Sequence, residues 1–206
     1  MDIVRSEKYS EASQISPAGP DSVKLIHTKH FSGNSGSYGI MFDVVPRKKM
    51  KIVGLDFHTE ATSDDLEVEV WYKKGSHVGF ERDQMSWTAV SYARVVGQGP
   101  YKRTVIDSSV FDAILANPFE KISFYVTLVT SPKLRYTKED DDSKAIVGEI
   151  DTSSEDLDIM VGVGVGSYPC KSLMFDELWY SLQMINLMTT SFRLFCSWIH
   201  ILSSIC

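Results

Sequence analysis

The sequence predicts an all-β fold, an antiparallel two-sheet sandwich of jelly-roll-like type. Apolar and polar residues alternate from about residue 44 to residue 165, which is the pattern of strands with one buried face, and the chain holds about nine such short segments in all. No long amphipathic helix precedes residue 180, so the crossover helices that join the strands of a parallel sheet are missing. These two observations together favour antiparallel strands.

Turn residues separate the predicted strands. A first short strand is expected at 23–26, followed by a glycine-rich bend at 31–39. The remaining predicted strands are 40–45, 51–58, 66–72, 87–96, 103–106, 121–129, 134–137 and 157–165. The segment 108–117 fits either a helical turn or extended chain, because Phe111, Ile114 and Leu115 would share one helical face.

The alternation also predicts which side chains face water. In 51–58 it places Val53, Leu55 and Phe57 on the buried face, and Asp56 and His58 on the solvent face. In 66–72 the two glutamates are expected to face solvent in the same way.

Composition divides the chain into three parts. Residues 1–30 form a polar leader that is expected to be irregular, and 31–182 carry the sandwich domain. Residues 183–206 form an apolar tail, interpreted as lying outside the domain, with a docked helix as the alternative. Arg193 in the tail argues against a membrane span, since a buried arginine costs roughly 2.5–3.5 kcal/mol on insertion scales.

Charge and cysteine content exclude several functions. The net charge of −6 disfavours nucleic-acid binding, which requires a basic face. The three cysteines lack the spacing of a zinc site or a disulfide framework. The first residues lack the apolar stretch of a secretory signal, and the sequence leaves the compartment open.

Four aromatic residues are the predicted ligand-binding residues: Trp71, Trp87, Tyr92 and Tyr101. Trp71 lies on the polar face of its predicted strand, and the others lie in or near loops. Flat aromatic rings stack on sugars and anchor protein partners. The alternative is that Trp71 packs under a loop or against the second sheet.

An acidic run and a glycine run are the other candidate sites. Asp140, Asp141 and Asp142 are the candidate ligands for Ca²⁺, with a solvated loop as the alternative because the EF-hand order is absent. No other cofactor is expected. The glycines at 162, 164 and 166 do not open a helix, so we expect close strand packing there rather than a phosphate loop.

Several short motifs resemble a known domain. They are Phe31-Ser32-Gly33-Asn34, Met41-Phe42-Asp43, Val68-Glu69-Val70-Trp71-Tyr72-Lys73-Lys74-Gly75-Ser76, Trp87, Phe124-Tyr125-Val126-Thr127, Leu134-Arg135-Tyr136 and Gly162-Val163-Gly164. Over roughly residues 31–170 the chain resembles a β-sandwich domain, often repeated, of large predicted surface or secreted proteins of diatoms and related algae, also found in some bacteria. The family has an aromatic residue after its Tyr-Pro, where this chain has Cys170. The resemblance implies a surface or secreted setting and no enzymatic activity.

The sequence thus predicts a non-catalytic interaction or structural module. A carbohydrate-binding module is the first alternative, and a hydrolase on a sandwich fold is the second. No Gly-x-Ser-x-Gly nucleophile elbow is present. The expected partner is a protein or a polysaccharide, and neither a nucleic acid nor a membrane.

Overall fold

The computed structural model describes residues 23–28, 34–136, 146–166 and 200–205. These residues form antiparallel β-structure, with two short 3₁₀ turns at Gln84–Ser86 and Ser108–Val110. The predicted all-β class is therefore confirmed. Within the described ranges, no helix has the length and apolar character needed to cross a membrane.

The strands are numbered in chain order. They are β1 (Val23–His27), β2 (Asn34–Ser37), β3 (Gly39–Pro46), β4 (Met50–Asp56), β5 (Thr62–Lys74), β6 (Thr88–Gln98), β7 (Ile114–Ala116), β8 (Ile122–Leu128), β9 (Leu134–Tyr136), β10 (Ile150–Ser153), β11 (Leu157–Met160), β12 (Val163–Val165) and β13 (His200–Ile205).

The strands pair into two main sheets and one short ribbon. The large sheet has the order β10-β11-β3-β8-β5-β6, with β12 pairing to the other half of β3. A four-stranded sheet has the order β1-β13-β4-β7, and β2 pairs with β9. All these pairings are antiparallel.

One apolar core is shared by the two main sheets. Phe42 and Phe124 of the large sheet stack with ring centroids 5.7 Å apart. The same cluster of buried residues includes Met50, Leu55 and Ile201 of the four-stranded sheet. Burial of such side chains removes apolar surface from water, at roughly 25 cal/mol per Å². The two sheets are therefore stabilised by one common core.

The central strands of the large sheet are buried on both faces. All seven residues of β8 are buried, so Ser123, Tyr125 and Thr127 are covered as well as the core-facing residues between them. A second, smaller apolar cluster lies on that opposite face and contains Met41, Trp87 and Tyr125. We call this side of the large sheet the outer face.

Most of the predicted strands are confirmed, but several segments differ. The segment 31–39 was predicted as a glycine-rich bend, but Asn34–Ser37 within it is the strand β2, because it pairs with β9. The segment 103–106 is not a strand, because Thr104 makes a single isolated bridge to Phe57. The ambiguous 108–117 segment is a 3₁₀ turn followed by β7. The predicted strand 157–165 is two strands, β11 and β12, and β10 was not expected because its sequence lacks apolar alternation.

The buried face of β4 differs from the expectation because of a bulge. The register of β4 against β13 shifts between Gly54 and Ile52. As a result Ile52 is fully buried and Val53 is half-buried, whereas a regular alternation predicted Val53 on the buried face. An extra residue in one strand reverses which side chains face the core.

The C-terminal residues contribute a strand to the four-stranded sheet. Composition placed 183–206 outside the domain, but β13 lies between β1 and β4, and its Ile201 is fully buried. Part of the 1–30 leader is likewise ordered, because β1 pairs with β13. The physical reason is that 200–205 fills a pairing position between β1 and β4, two strands far from it in the sequence, which the sequence order does not reveal. Residues 1–22 and 183–199 lie outside the described residues.

Gly162 lies between β11 and β12 at a close approach to β3. A Cβ built there would be 2.9 Å from Cβ of Phe42 and well inside contact distance of the Met41 carbonyl oxygen. The predicted close packing of the glycine run is therefore confirmed at Gly162. At Gly166 a Cβ would meet no atom of the described residues within 4 Å.

We expect Gly162→Ala to destabilise the fold by about 2 kcal/mol, because the added methyl group must displace the backbone of β3. Gly166→Ala is the matched control and should change stability by less than about 0.5 kcal/mol. Urea denaturation followed by circular dichroism measures both free energies of unfolding. Equal stability of the two variants would contradict the close approach.

Candidate functional site

A fully buried carboxylate lies at the centre of the outer face. Asp43 of β3 accepts hydrogen bonds from Ser76 Oγ at 2.6 Å, from the backbone N–H of His77 at 3.0 Å, and from Ser123 Oγ at 2.7 Å. The Nδ1 of His77 lies 2.6 Å from the same carboxylate. Lys121 adds a cation whose Nζ is 3.5 Å from Oδ2. Asp43 therefore joins β3 and β8 to the loop that follows β5.

Two opposing effects act on the ionisation of Asp43. Burial by itself raises the pKa of a carboxyl group. Here the hydrogen bonds from His77 and Ser76 outweigh burial and hold the pKa of Asp43 well below its usual range. The carboxylate is therefore ionised, and the Nδ1–H of His77 donates a hydrogen bond to it. Such a charge is stable inside a protein because donors replace the lost water.

The Asp43–His77 pair resembles part of a catalytic triad, since a carboxylate orients an imidazole in both. In a triad the other ring nitrogen contacts a nucleophile. Here the Nε2 of His77 is buried and makes no hydrogen bond with the described residues, while Ser76 and Ser123 both donate to Asp43. His77 is also fully buried. The arrangement therefore fixes the loop to the sheet.

The loop fixed by Asp43 ends at Trp87, one of the predicted ligand-binding residues. Trp87 is buried, its Nε1 donates to the carbonyl of Phe80 at 2.9 Å, and its ring meets Tyr125 edge-on at 6.1 Å. Trp71 of β5 packs against the same cluster, and its Nε1 donates to Glu69 at 3.2 Å. The structure thus brings Trp71 and Trp87 together, with Trp71 half-buried.

The two predicted tyrosines lie in different places. Tyr92 of β6 pairs with Glu69 of β5, on the same face as Trp71, and is 54% exposed. Tyr101 is 79% exposed on the loop after β6, where its ring lies 5.9 Å from the guanidinium of Arg135. Tyr92 is thus the exposed aromatic residue beside Trp71, and Tyr101 is separate from this surface. Ligand binding by the four residues stays a prediction.

The predicted calcium ligands Asp140, Asp141 and Asp142 lie outside the described residues. Two of the acidic residues that follow, Asp156 and Asp158, are paired with cations. Asp158 accepts two hydrogen bonds from Arg47, at 2.8 and 3.1 Å, and Asp156 contacts Lys24 and Lys48. Within the part of the chain that the structure describes, no three His, Cys, Asp or Glu side chains are grouped to hold a metal ion.

A groove that the sequence did not reveal runs between β6 and the segment 103–110. Its volume is about 540 Å³, which is within the range of ligand sites. Its lining includes four apolar residues that are 45–54% exposed, namely Tyr92, Val96, Val105 and Val110. Arg94, Arg103 and Asp107 supply its charges. In the sequence, the signal for this groove would have been Val96, an apolar residue at a strand position that faces away from the core.

Asp56 and His58, predicted to face solvent, are buried. The segment 103–106 covers them: the N–H of Ile106 donates to Asp56 at 3.1 Å, and Arg103 Nε lies 3.3 Å from the other carboxylate oxygen. Burial lowers the pKa of His58 to about 4, aided by Arg135 and Arg103 and opposed by a hydrogen bond with Pro100. Burial raises the pKa of Asp56. The prediction was wrong here because a second layer covers this face of β4.

No family model matches the chain, and no curated protein is significantly similar to it. The function is therefore argued from the geometry alone.

We expect Asp43→Asn to lower the free energy of unfolding by about 3 kcal/mol, because the amide replaces one acceptor oxygen of the carboxylate with an NH2 donor that faces the groups donating to this position. Ser76→Ala removes one donor and leaves the carboxylate in place, so about 1 kcal/mol is expected. Chemical denaturation measures both. An Asp43→Asn variant as stable as the wild type would show that the buried network does not hold the loop.

The histidine at position 58 should make stability depend on pH. Its pKa is about 4 in the folded protein and about 6.5 when unfolded, so the unfolded chain binds the proton more strongly between these values. The stabilisation is present above pH 6.5 and is lost as the pH falls towards 4, by an amount on the order of 3 kcal/mol. His58→Gln should flatten this part of the profile. Denaturation between pH 4 and 7.5 tests it, and parallel profiles for the two proteins would contradict the assignment.

Proposed function

We propose that the chain is a non-catalytic β-sandwich interaction module whose binding surface lies along β6. We call this the β6 surface: Tyr92, Arg94 and Val96 of the strand, with Val105 and Val110 on the opposite wall of the groove. The supporting arguments concern the architecture, the buried polar groups and the exposed surface.

The sandwich arrangement is supported by the shared core. Phe42, Val70 and Phe124 of the large sheet belong to the same buried cluster as Ile52 and Ile114 of the four-stranded sheet. Two antiparallel sheets that bury their apolar faces against each other form a sandwich.

The non-catalytic assignment is supported by the state of the buried polar groups. Among the described residues, the group nearest to a catalytic arrangement is Asp43, His77 and Ser123. All three are fully buried, and both Asp43 and Ser123 are engaged in hydrogen bonds inside the protein. A general base must come within hydrogen-bond reach of a substrate. A buried network that joins three elements of the fold fits a structural role better.

The observation that carries the proposal is the exposed composition of the β6 surface. A tyrosine, an arginine and valines that are about half exposed line one concave groove. Tyrosine and arginine are enriched among the residues that dominate protein interfaces, and such residues are most effective in pockets. A soluble monomer gains nothing in its own stability from leaving this apolar surface open to water.

A carbohydrate is the second candidate ligand, favoured by one observation. The exposed ring of Tyr92 is next to the Trp71–Glu69 pair, so an aromatic plane and a carboxylate share one flat face. Sugar recognition uses the same combination of a stacking surface and hydrogen-bonding groups. Binding there should quench tryptophan fluorescence through Trp71.

We expect the double variant Tyr92→Ser/Val96→Ser to lose its specific partners, because both exposed apolar contacts of the β6 surface are removed. Affinity capture with the wild-type chain, compared with the double variant, measures the loss. Leu115→Ser is the matched control, since Leu115 is 54% exposed on β7 of the other sheet. It should retain the partners.

Two outcomes would contradict the proposal. If the wild type and the double variant capture the same proteins, the β6 surface is not the binding site. If soluble polysaccharides quench the tryptophan fluorescence of the wild type at micromolar concentration and no protein depends on the surface, the carbohydrate alternative replaces the proposal.

A further inference from the structure

β6 is the last strand of the large sheet, and its outer edge is closed at both ends. Near its start, the carbonyl of Val90 accepts the N–H of Asp112 at 2.7 Å. Near its end, the N–H of Gln98 donates to Thr104 Oγ1 at 3.2 Å. In an edge strand, every second residue directs its backbone N–H and C=O away from the sheet. Between these two points, the backbone groups of Tyr92, Arg94 and Val96 therefore face the outer edge of β6.

The middle of this edge is open. No hydrogen bond joins the backbone of Arg94 to a described residue on this side, and β6 pairs with β5 alone among the described strands. The side-chain amide of Gln98 covers the carbonyl of Val96 at 3.1 Å and so ends the open stretch. An unpaired donor and acceptor on an edge strand form a template for another strand.

The groove beside the edge provides contacts for side chains as well as for backbone. Apolar residues stand on both of its walls, with Tyr92 and Val96 on one and Val105 and Val110 on the other. Arg103 supplies a positive charge. Its Nε faces Asp56, and its two terminal nitrogens make no hydrogen bond within the described part of the chain. A guanidinium group whose terminal nitrogens are free can donate hydrogen bonds to a carboxylate.

We propose that the groove binds an extended peptide segment of a partner protein, which adds a strand to the β6 edge. The peptide backbone pairs with the N–H and C=O of Arg94, an apolar side chain enters between the valines, and a carboxylate of the peptide meets Arg103. The inference rests on the proposed interaction function and specifies its partner. Strand addition is an established mode of peptide recognition, in which backbone bonds give affinity and side-chain pockets give specificity.

A second copy of the same chain is the competing occupant. If two β6 edges paired about the centre of the open stretch, Arg94 would stand opposite Arg94 of the other copy. Each Arg94 already has Glu67 as its ion-pair partner, with Nη2 2.7 Å from Oε1, so repulsion between the two arginines does not decide against this pairing. The edge residues Tyr92, Arg94 and Val96 carry no carboxylate, so a second copy would bring none to Arg103, whereas a foreign peptide that carries a carboxylate does.

Arg94→Pro is the decisive substitution. Proline lacks the N–H that faces the edge, and an edge position of this kind tolerates proline because the bonds to the neighbouring strand are made by other residues. Arg94→Ala is the matched control, since it removes the same side chain and keeps the N–H. Circular dichroism and the melting temperature establish that both variants are folded.

The probe is a displayed library of random ten-residue peptides, selected on the wild-type chain. We expect the enriched peptides to alternate apolar and polar residues, with one acidic residue. Binding should weaken by about tenfold or more in Arg94→Pro and by less than about threefold in Arg94→Ala, since the backbone bond supplies the affinity. Replacing the acidic residue of an enriched peptide by glutamine should weaken binding, and N-methylation of its central amide should abolish it.

Four results would overturn the inference. Enrichment of no peptide, or equal binding by Arg94→Pro and wild type, would exclude strand addition even if captured proteins still depend on Tyr92 and Val96, in which case the proposed function survives. Dimerisation of the wild type that Arg94→Pro abolishes, seen by analytical ultracentrifugation, would assign the edge to a second copy. If Arg94→Pro does not fold, N-methylated peptides that bind as well as unmodified ones would overturn it.

Discussion

Burial of β3 and β8 on both faces is the constraint on which the rest of this structure depends. A strand that is covered on one side can place its polar residues in water, but Asp43 and Ser123 are fully buried. An ionised carboxylate inside a protein requires several donors. The loop after β5 supplies them through Ser76 and His77, and in doing so it is held against the outer face. The small aromatic cluster at Trp87 packs where that loop returns to the sheet.

This constraint also determines where a partner can bind. At the centre of the large sheet, polar groups are satisfied by the protein itself and the aromatic residues are covered. At β6 no second neighbouring strand is present among the described residues, so exposed apolar side chains and open backbone groups occur together around Arg94. This combination at the edge of the sheet is the basis of the proposed interaction function.

Sequence reasoning was most accurate for strands in which the burial of one face produces a regular alternation of apolar and polar residues. The strands at β3, β5 and β8 were predicted from alternation and turn residues. It was least accurate where a segment distant in the sequence determines the pairing or the burial of a residue. β13 has too few residues to show a pattern, and its place between β1 and β4 depends on pairing across most of the chain. Asp56 and His58 were expected in water because nothing in their own strand indicates that 103–106 covers them.

The residues of the candidate site also differ in whether the sequence alone could predict them. Tyr92 was predicted as an aromatic residue in or near a loop and lies in β6, and Trp71 was recognised as lying on the polar face of its strand. The Asp43–His77 pair was not foreseen, because its members are 34 residues apart and meet in the fold alone. By itself the sequence determined an antiparallel all-β chain, since period-two burial is a local property of each strand. The tertiary structure decided which strands are covered twice and which edge stays open, because both depend on neighbours that local alternation does not encode.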